Sequence, residues 1–143
     1  MEDFQTLFDN FALAAKTEAL QDKPIITLGE LIAKLEGKDP KANLAVQFLD
    51  KLRGVDGVDS YRGYYSDLAI EPGSMVLGTV AEGLEVLRNA VGSTFEGYKG
   101  GEYRMNNRTL VWVDTYGSCT EQGVTGVEVM NGLVVITSAD CGS

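Results

Sequence analysis

The hydrophobic pattern of this chain changes period at Gly92. Ahead of that glycine most apolar residues recur three and four apart, as along one face of a helix; behind it they alternate, as along a half-buried strand. A chain with helical segments first and a run of strands last predicts the α+β class, a single domain in which helices pack on one face of an antiparallel sheet.

The helical segments carry their own start signals. Thr27 followed by Glu30 is a capping box, and Leu28, Leu31, Ile32 and Leu35 give the apolar face of a short helix that stops at Gly37, with Pro40 beyond. Thr79 and Glu82 repeat the signal ahead of Val80, Leu84, Leu87 and Val91, and Gly92 is placed to terminate that helix. Residues 42–52 are open to two readings: a strand over 44–49, or a helix with Leu44, Phe48 and Leu52 on one side. Leu68, Ala69 and Ile70 before Pro72 read as a short strand, and further strands are expected over 94–105, 109–115, 126–130 and 133–137, with Asn131-Gly132 as the hairpin turn.

At the start of the chain Phe4, Leu7, Phe8, Phe11, Ala12, Ala15 and Leu20 predict an amphipathic helix over 3–20, ended by Lys23-Pro24. Residues 1–22 therefore read as an appendage and 25–143 as the α+β domain. The apolar stripe needs a partner, either the body of its own domain or the same helix of a second subunit, which would make a homo-oligomer.

A length of 143 residues with 44% hydrophobic content suits one domain with one core. The longest apolar runs, at 110–113 and 133–136, are too short to cross a bilayer, and Met1-Glu2-Asp3 lacks the basic start of an export signal. The expectation is a cytoplasmic protein without membrane contact, with Cys119 and Cys141 reduced. A net charge of −9 argues against direct binding of nucleic acid, whose phosphates need a dense basic face. The same charge suits plain solubility, or attraction to a basic groove on another protein.

The residue types exclude much chemistry. Without a single histidine there is no Ser-His-Asp or Cys-His arrangement, and the cysteines form no CxxC pair. No acidic loop has the DxDxDG spacing of a calcium site. No catalytic residue, metal site or cofactor is assigned, and the chain reads as a binding protein, not an enzyme. Asp67, Glu71, Glu96, Glu102 and Asp114 would matter chemically only if folding gathered them. Trp112, inside Leu110-Val111-Trp112-Val113, reads as core strand.

The informative feature is where the positive charges fall. Residues 58–143 carry eleven acids and five bases, and four of those bases, Arg62, Lys99, Arg104 and Arg108, lie in or beside two segments rich in tyrosine and glycine. One is Tyr61-Arg62-Gly63-Tyr64-Tyr65; the other is Gly97-Tyr98-Lys99-Gly100-Gly101-Glu102-Tyr103-Arg104-Met105. Glycine lets backbone N–H groups approach an anion, arginine presents a planar fork to phosphate, and tyrosine offers a face on which a base can stack. The candidate ligand-binding residues are therefore Tyr61, Arg62, Gly63, Tyr64, Tyr98, Lys99, Gly100, Gly101, Tyr103 and Arg104, and the ligand they suit is a small anionic nucleotide. The competing reading makes the tyrosines half-buried strand residues, the glycines turns and bulges, and the arginines surface cover.

These two segments, with Thr27-Leu28-Gly29-Glu30-Leu31-Ile32 ahead and Val111-Trp112-Val113 behind, resemble small proteins of tailed bacteriophages and prophages over roughly residues 27–137. The resemblance implies origin, not activity, and brings no site residue with it. By analogy it implies a role against host defence in the host cytosol: sequestering a nucleotide signal, or occupying the basic groove of a defence nuclease complex. A virion or assembly role using the N-terminal helix is the remaining alternative.

Overall fold

The computed structural model describes residues 25–48, 51–61, 65–73, 78–97, 100–115 and 121–140. The helix expected over 3–20, the boundary at residue 22 and both cysteines lie outside them. Helix α1 (Leu28–Glu36) begins at its capping box: Thr27 Oγ1 accepts from the Glu30 N–H at 3.2 Å, and the Thr27 N–H donates to Glu30 Oε1 at 3.3 Å. Helix α2 (Val80–Ala90) repeats the device, with Thr79 Oγ1 accepting from the Glu82 N–H at 3.2 Å and the Thr79 N–H donating to Glu82 Oε1 at 3.0 Å. Each box satisfies amide groups that a helix start leaves without intrahelical partners. Thr27→Ala or Thr79→Ala should each cost about 1 kcal/mol, read from the shift in urea midpoint.

Of residues 42–52, Leu44–Phe48 form strand β1 and residues 51–52 begin β2 (Lys51–Arg53), so the strand reading holds over the described part of the segment. They are followed by β3 (Val55–Ser60), β4 (Leu68–Pro72), β5 (Thr94–Glu96), β6 (Glu102–Arg104), β7 (Val111–Val113), β8 (Gln122–Met130) and β9 (Leu133–Asp140). Seven of them form one sheet in the order β2-β1-β9-β8-β7-β4-β3, and β5 and β6 form a separate ribbon. The expected antiparallel sheet is corrected to a mixed one, because β1 runs parallel to β9 and β4 parallel to β7. Parallel neighbours need a long crossover, and between β4 and β7 the chain supplies it with α2 and the ribbon. The β8–β9 hairpin turns at Asn131 (φ 49°) and Gly132 (φ 84°), two positive angles in succession, as the Asn-Gly signal predicts.

β2 and β3 stand at opposite ends of the strand order, yet Gly54 alone separates them in sequence. The sheet must therefore curl until its ends meet. Before the bend Arg53 pairs with Val46 of β1; after it Val55 pairs with Pro72 of β4, and the Gly54 carbonyl accepts from the Gly73 N–H at 2.8 Å.

The main core lies on the sheet face that carries both helices. Leu28, Leu31 and Leu35 of α1 and Val80, Leu84 and Leu87 of α2 pack with Leu44, Val46, Leu68, Ile70, Val111, Val113, Val134 and Ile136 in one buried cluster. Alternation sends the intervening residues to the other face, where Ala45, Leu52, Leu133 and Val135 form one small cluster and Tyr61, Ala69 and Trp112 another. Buried polar groups are paired: Ser138 Oγ donates to the Gln47 carbonyl at 2.8 Å, and Gln47 Oε1 accepts from the Ser138 N–H at 3.1 Å. Among the described residues no helix is long and apolar enough to cross a membrane.

Candidate functional site

The two tyrosine-glycine segments adjoin. Ser60 Oγ, at the end of β3, donates to the Glu96 carbonyl of β5 at 3.4 Å, and the Tyr65 and Tyr103 rings stack with centroids 5.8 Å apart at 27°. Gly97 is buried beneath them: a β-carbon there would lie 3.0 Å from Tyr103 Cε2 and 3.2 Å from Tyr65 Cγ. Arg62, Gly63, Tyr64, Tyr98 and Lys99 lie outside the described residues.

Of the other five candidates, Tyr61, Gly100, Gly101 and Tyr103 have structural work of their own. Tyr61 is 8% exposed and lies flat on Trp112, with centroids 4.7 Å apart and planes 2° from parallel, so one face of its ring is already covered. Gly100 (φ 97°) and Gly101 (φ 88°) turn the chain between β5 and β6, and the turn uses amides that an anion cradle would need: the Gly97 N–H donates to Gly101 O at 2.9 Å and the Gly100 N–H to Gly97 O at 3.0 Å. On β6 the strand period separates Tyr103, which packs inward on the core, from Arg104, which is exposed. Arg104 shares its side of the ribbon with Thr94, its cross-strand partner, and with Glu96 and Glu102, which stand opposite each other. Arg104 and Tyr103 thus do not converge on one ligand.

What folding does gather is acid. Glu71 on β4 lies opposite Gly57 of β3, and Asp59 stands two residues further along β3 on the same face. The Asp114 N–H donates to Ile70 O at 2.9 Å, which extends the β4–β7 ladder and brings Asp114 beside Glu71. Burial, then repulsion from Asp59, Asp114 and Asp56, pushes the Glu71 carboxyl above its ordinary value of 4.5. On the same face Trp112 Nε1 donates to Asp67 Oδ2 at 2.9 Å; burial pushes the Asp67 carboxyl up from 3.8, and this hydrogen bond offsets part of the rise. Of the five acids singled out in the sequence, Asp67, Glu71 and Asp114 share this face, whereas Glu96 and Glu102 belong to the ribbon. Among the described residues no group of acids or cysteines is arranged to hold a metal ion.

Both raised values have the same consequence for stability. Between the ordinary and the raised pKa the folded chain holds protons that the unfolded chain has released, so stability rises as pH falls from neutral through the raised values and is lost as pH climbs back through them. Thermal unfolding should therefore shift to higher temperature as the pH is lowered from neutral into the range where these two carboxyls take up their protons, and Glu71→Gln should narrow that shift. Trp112, the one tryptophan of the chain, reports on Asp67 directly. Its emission should titrate above the ordinary aspartate range, and Asp67→Asn should remove the transition.

Sequence reasoning missed Asp56 and Asp59 as members of the acidic face. Their signal was present in part, since the alternation of β3 puts Gly57 and Asp59 on one side; the pairing of β3 with β4 and of β4 with β7 was not. Comparison with protein-family models, with curated proteins and with solved structures finds no match to this chain.

Proposed function

We propose that this chain is a non-enzymatic binding protein whose acidic sheet end docks on a basic, nucleic-acid-gripping groove of a host defence complex. The observation that carries the reading is the gathering of Asp59, Glu71 and Asp114 on one sheet face by the registers of β3 with β4 and of β4 with β7. Like charges held together oppose folding, and an incoming basic surface relieves them and is steered by their field. The net charge of −9 and the resemblance to phage proteins support the same reading. The protein should displace labelled duplex DNA from a purified defence nuclease complex, and displacement should weaken as salt is raised. Asp59→Lys with Asp114→Lys should slow association by about tenfold or more. Displacement that ignores both salt and charge reversal would overturn the reading.

A second reading, sequestration of a nucleotide-type signal, is favoured by the contact of Tyr65 with Tyr103, which brings the two tyrosine-glycine segments together. With Arg104 on the outer side of the ribbon, its cations are Arg62 and Lys99. Native mass spectrometry after incubation with extract of defence-activated bacteria tests it: a retained species of nucleotide mass, lost in Arg62→Ala, supports sequestration, and a clean mass removes it.

A further inference from the structure

The sheet face away from the helices is buried without their help. Ala45 and Val135 are fully buried there and Trp112 is 5% exposed, yet among the described residues neither α1 nor α2 supplies a side chain to the two clusters on that face. A sheet face excludes water only when a further layer lies against it. The strand registers define the area to be covered. One row across the strands runs Asp59, Ala69, Trp112, Gly123, Ala139, and Ala45 pairs with Val135 in another. Small residues thus flank Trp112 on both sides, and a glycine inside a strand often marks where another backbone comes close. Towards β3 the first row ends in the charge of Asp59, so the apolar area runs from β4 through β7, β8 and β9 to β1.

The start of the described chain is fastened beside this area. The Ile26 N–H donates to Val124 O at 2.9 Å and Ile26 O accepts from the Val111 N–H at 3.2 Å, which seats residue 26 between β7 and β8. Ile26 joins the main core, whereas Ile25 packs with Tyr61, Ala69 and Trp112 on the other face. The chain ahead of Ile25 therefore sets out from next to Trp112.

We propose that residues 4–20 are the layer that covers this face, with the apolar stripe that begins Phe4, Leu7, Phe8 and Phe11 packed on both clusters. The inference stands apart from the docking function proposed above and concerns the apolar part of the face. A helix over 3–20 would be about 27 Å long, and the four strand spacings from β4 to β1 amount to about 19 Å, so one such helix reaches from Trp112 to Ala45. Residues 21–24 supply up to about 13 Å of chain between the stripe and Ile25. Of the two partners open to the stripe, the body of its own domain and a second copy, the fastening of Ile25 and Ile26 selects the first. A segment tethered in contact with its docking face meets it at a high effective concentration, which a free second copy does not match.

The test uses the full chain, isotope-labelled in half of the molecules. Nuclear Overhauser contacts from phenylalanine rings to the methyl groups of Ala45, Ala69 and Val135 should appear within a molecule and be absent from the spectrum filtered for contacts between molecules. Phe48 and Phe95 pack on the main core, so ring contacts at these methyls come from Phe4, Phe8 or Phe11. Trp112, the one tryptophan, supplies a second readout. Phe8→Glu with Phe11→Glu should raise quenching of its emission by acrylamide several-fold while the β8–β9 hairpin keeps its cross-strand contacts. Thr6→Glu, on the polar side of the same helical pattern, should leave quenching unchanged. Rings that make no contact with these methyls, or a Trp112 that stays shielded in the folded double variant, overturn the proposal. Contacts found only between molecules assign the face to a second copy and overturn it as well. Should the double variant lose the hairpin, the ring contacts in the unmodified chain decide alone.

Discussion

Replacing Trp112 with alanine should destabilise the domain by about 3–5 kcal/mol, the range for removing a buried large aromatic. Trp112 is 5% exposed on β7, between β4 and β8, and on the sheet face away from the helices it joins Tyr61 and Ala69 in a cluster of three buried residues. Alanine would leave the Tyr61 ring without the surface it stacks upon and Asp67 without its indole donor. Trp112→Phe separates these roles: it keeps an aromatic surface and deletes only the N–H, so the expected loss falls to about 1–3 kcal/mol. Urea unfolding followed by circular dichroism measures both variants, since the alanine form has no tryptophan to observe. Equal losses in the two variants would mean that the hydrogen bond, and not the stack, holds this face together.

Gly97→Val should cost about 1–3 kcal/mol, the usual penalty for overpacking. A β-carbon at Gly97 meets three groups at once: the Gly100 carbonyl at 3.0 Å, Tyr103 Cε2 at 3.0 Å and Tyr65 Cγ at 3.2 Å. The carbonyl belongs to the turn that closes the ribbon, and the two rings are stacked on each other, so neither side has room to give. The variant therefore tests whether the two tyrosine-glycine segments are truly packed together. The nuclear magnetic resonance signals of Tyr65 and Tyr103 should both shift, and those of the β8–β9 hairpin, built from other strands, should not. Shifts confined to the ribbon would show that Tyr65 is not seated on it.

The parts of the fold legible in the sequence are those set by residues close together along the chain. Both capping boxes form between residues three apart, and the Asn131-Gly132 turn needs only two neighbours that accept positive φ. Leu28, Leu31 and Leu35 are buried as their spacing predicts. The parallel pairing of β4 with β7 had a sequence signal that was passed over, a helical segment between two short apolar strands, which is the pattern of a crossover. The parallel joint of β1 with β9 had none, because its partners are about ninety residues apart and alternation says which face a side chain takes but not which strand lies beside it.

The candidate site divides along the same line. Composition was enough to show that histidine-based chemistry is closed to this chain and that its surface is acidic, because both follow from counting residues. The clustering of cations with tyrosine and glycine was equally visible, but strand alternation on β6 parts Arg104 from Tyr103, and the stack on Trp112 covers Tyr61. Asp59, Glu71 and Asp114 become a group only through the registers of β3 with β4 and β4 with β7. By itself the sequence determined helix starts, the hairpin turn, the buried stripes and the sign of the charge, since each depends on neighbours in the chain or on composition. Only the tertiary structure decided strand order, the bend at Gly54 that lets the sheet curl, and which carboxylates face one another, because those depend on contacts whose cost in chain entropy is met by the whole core at once.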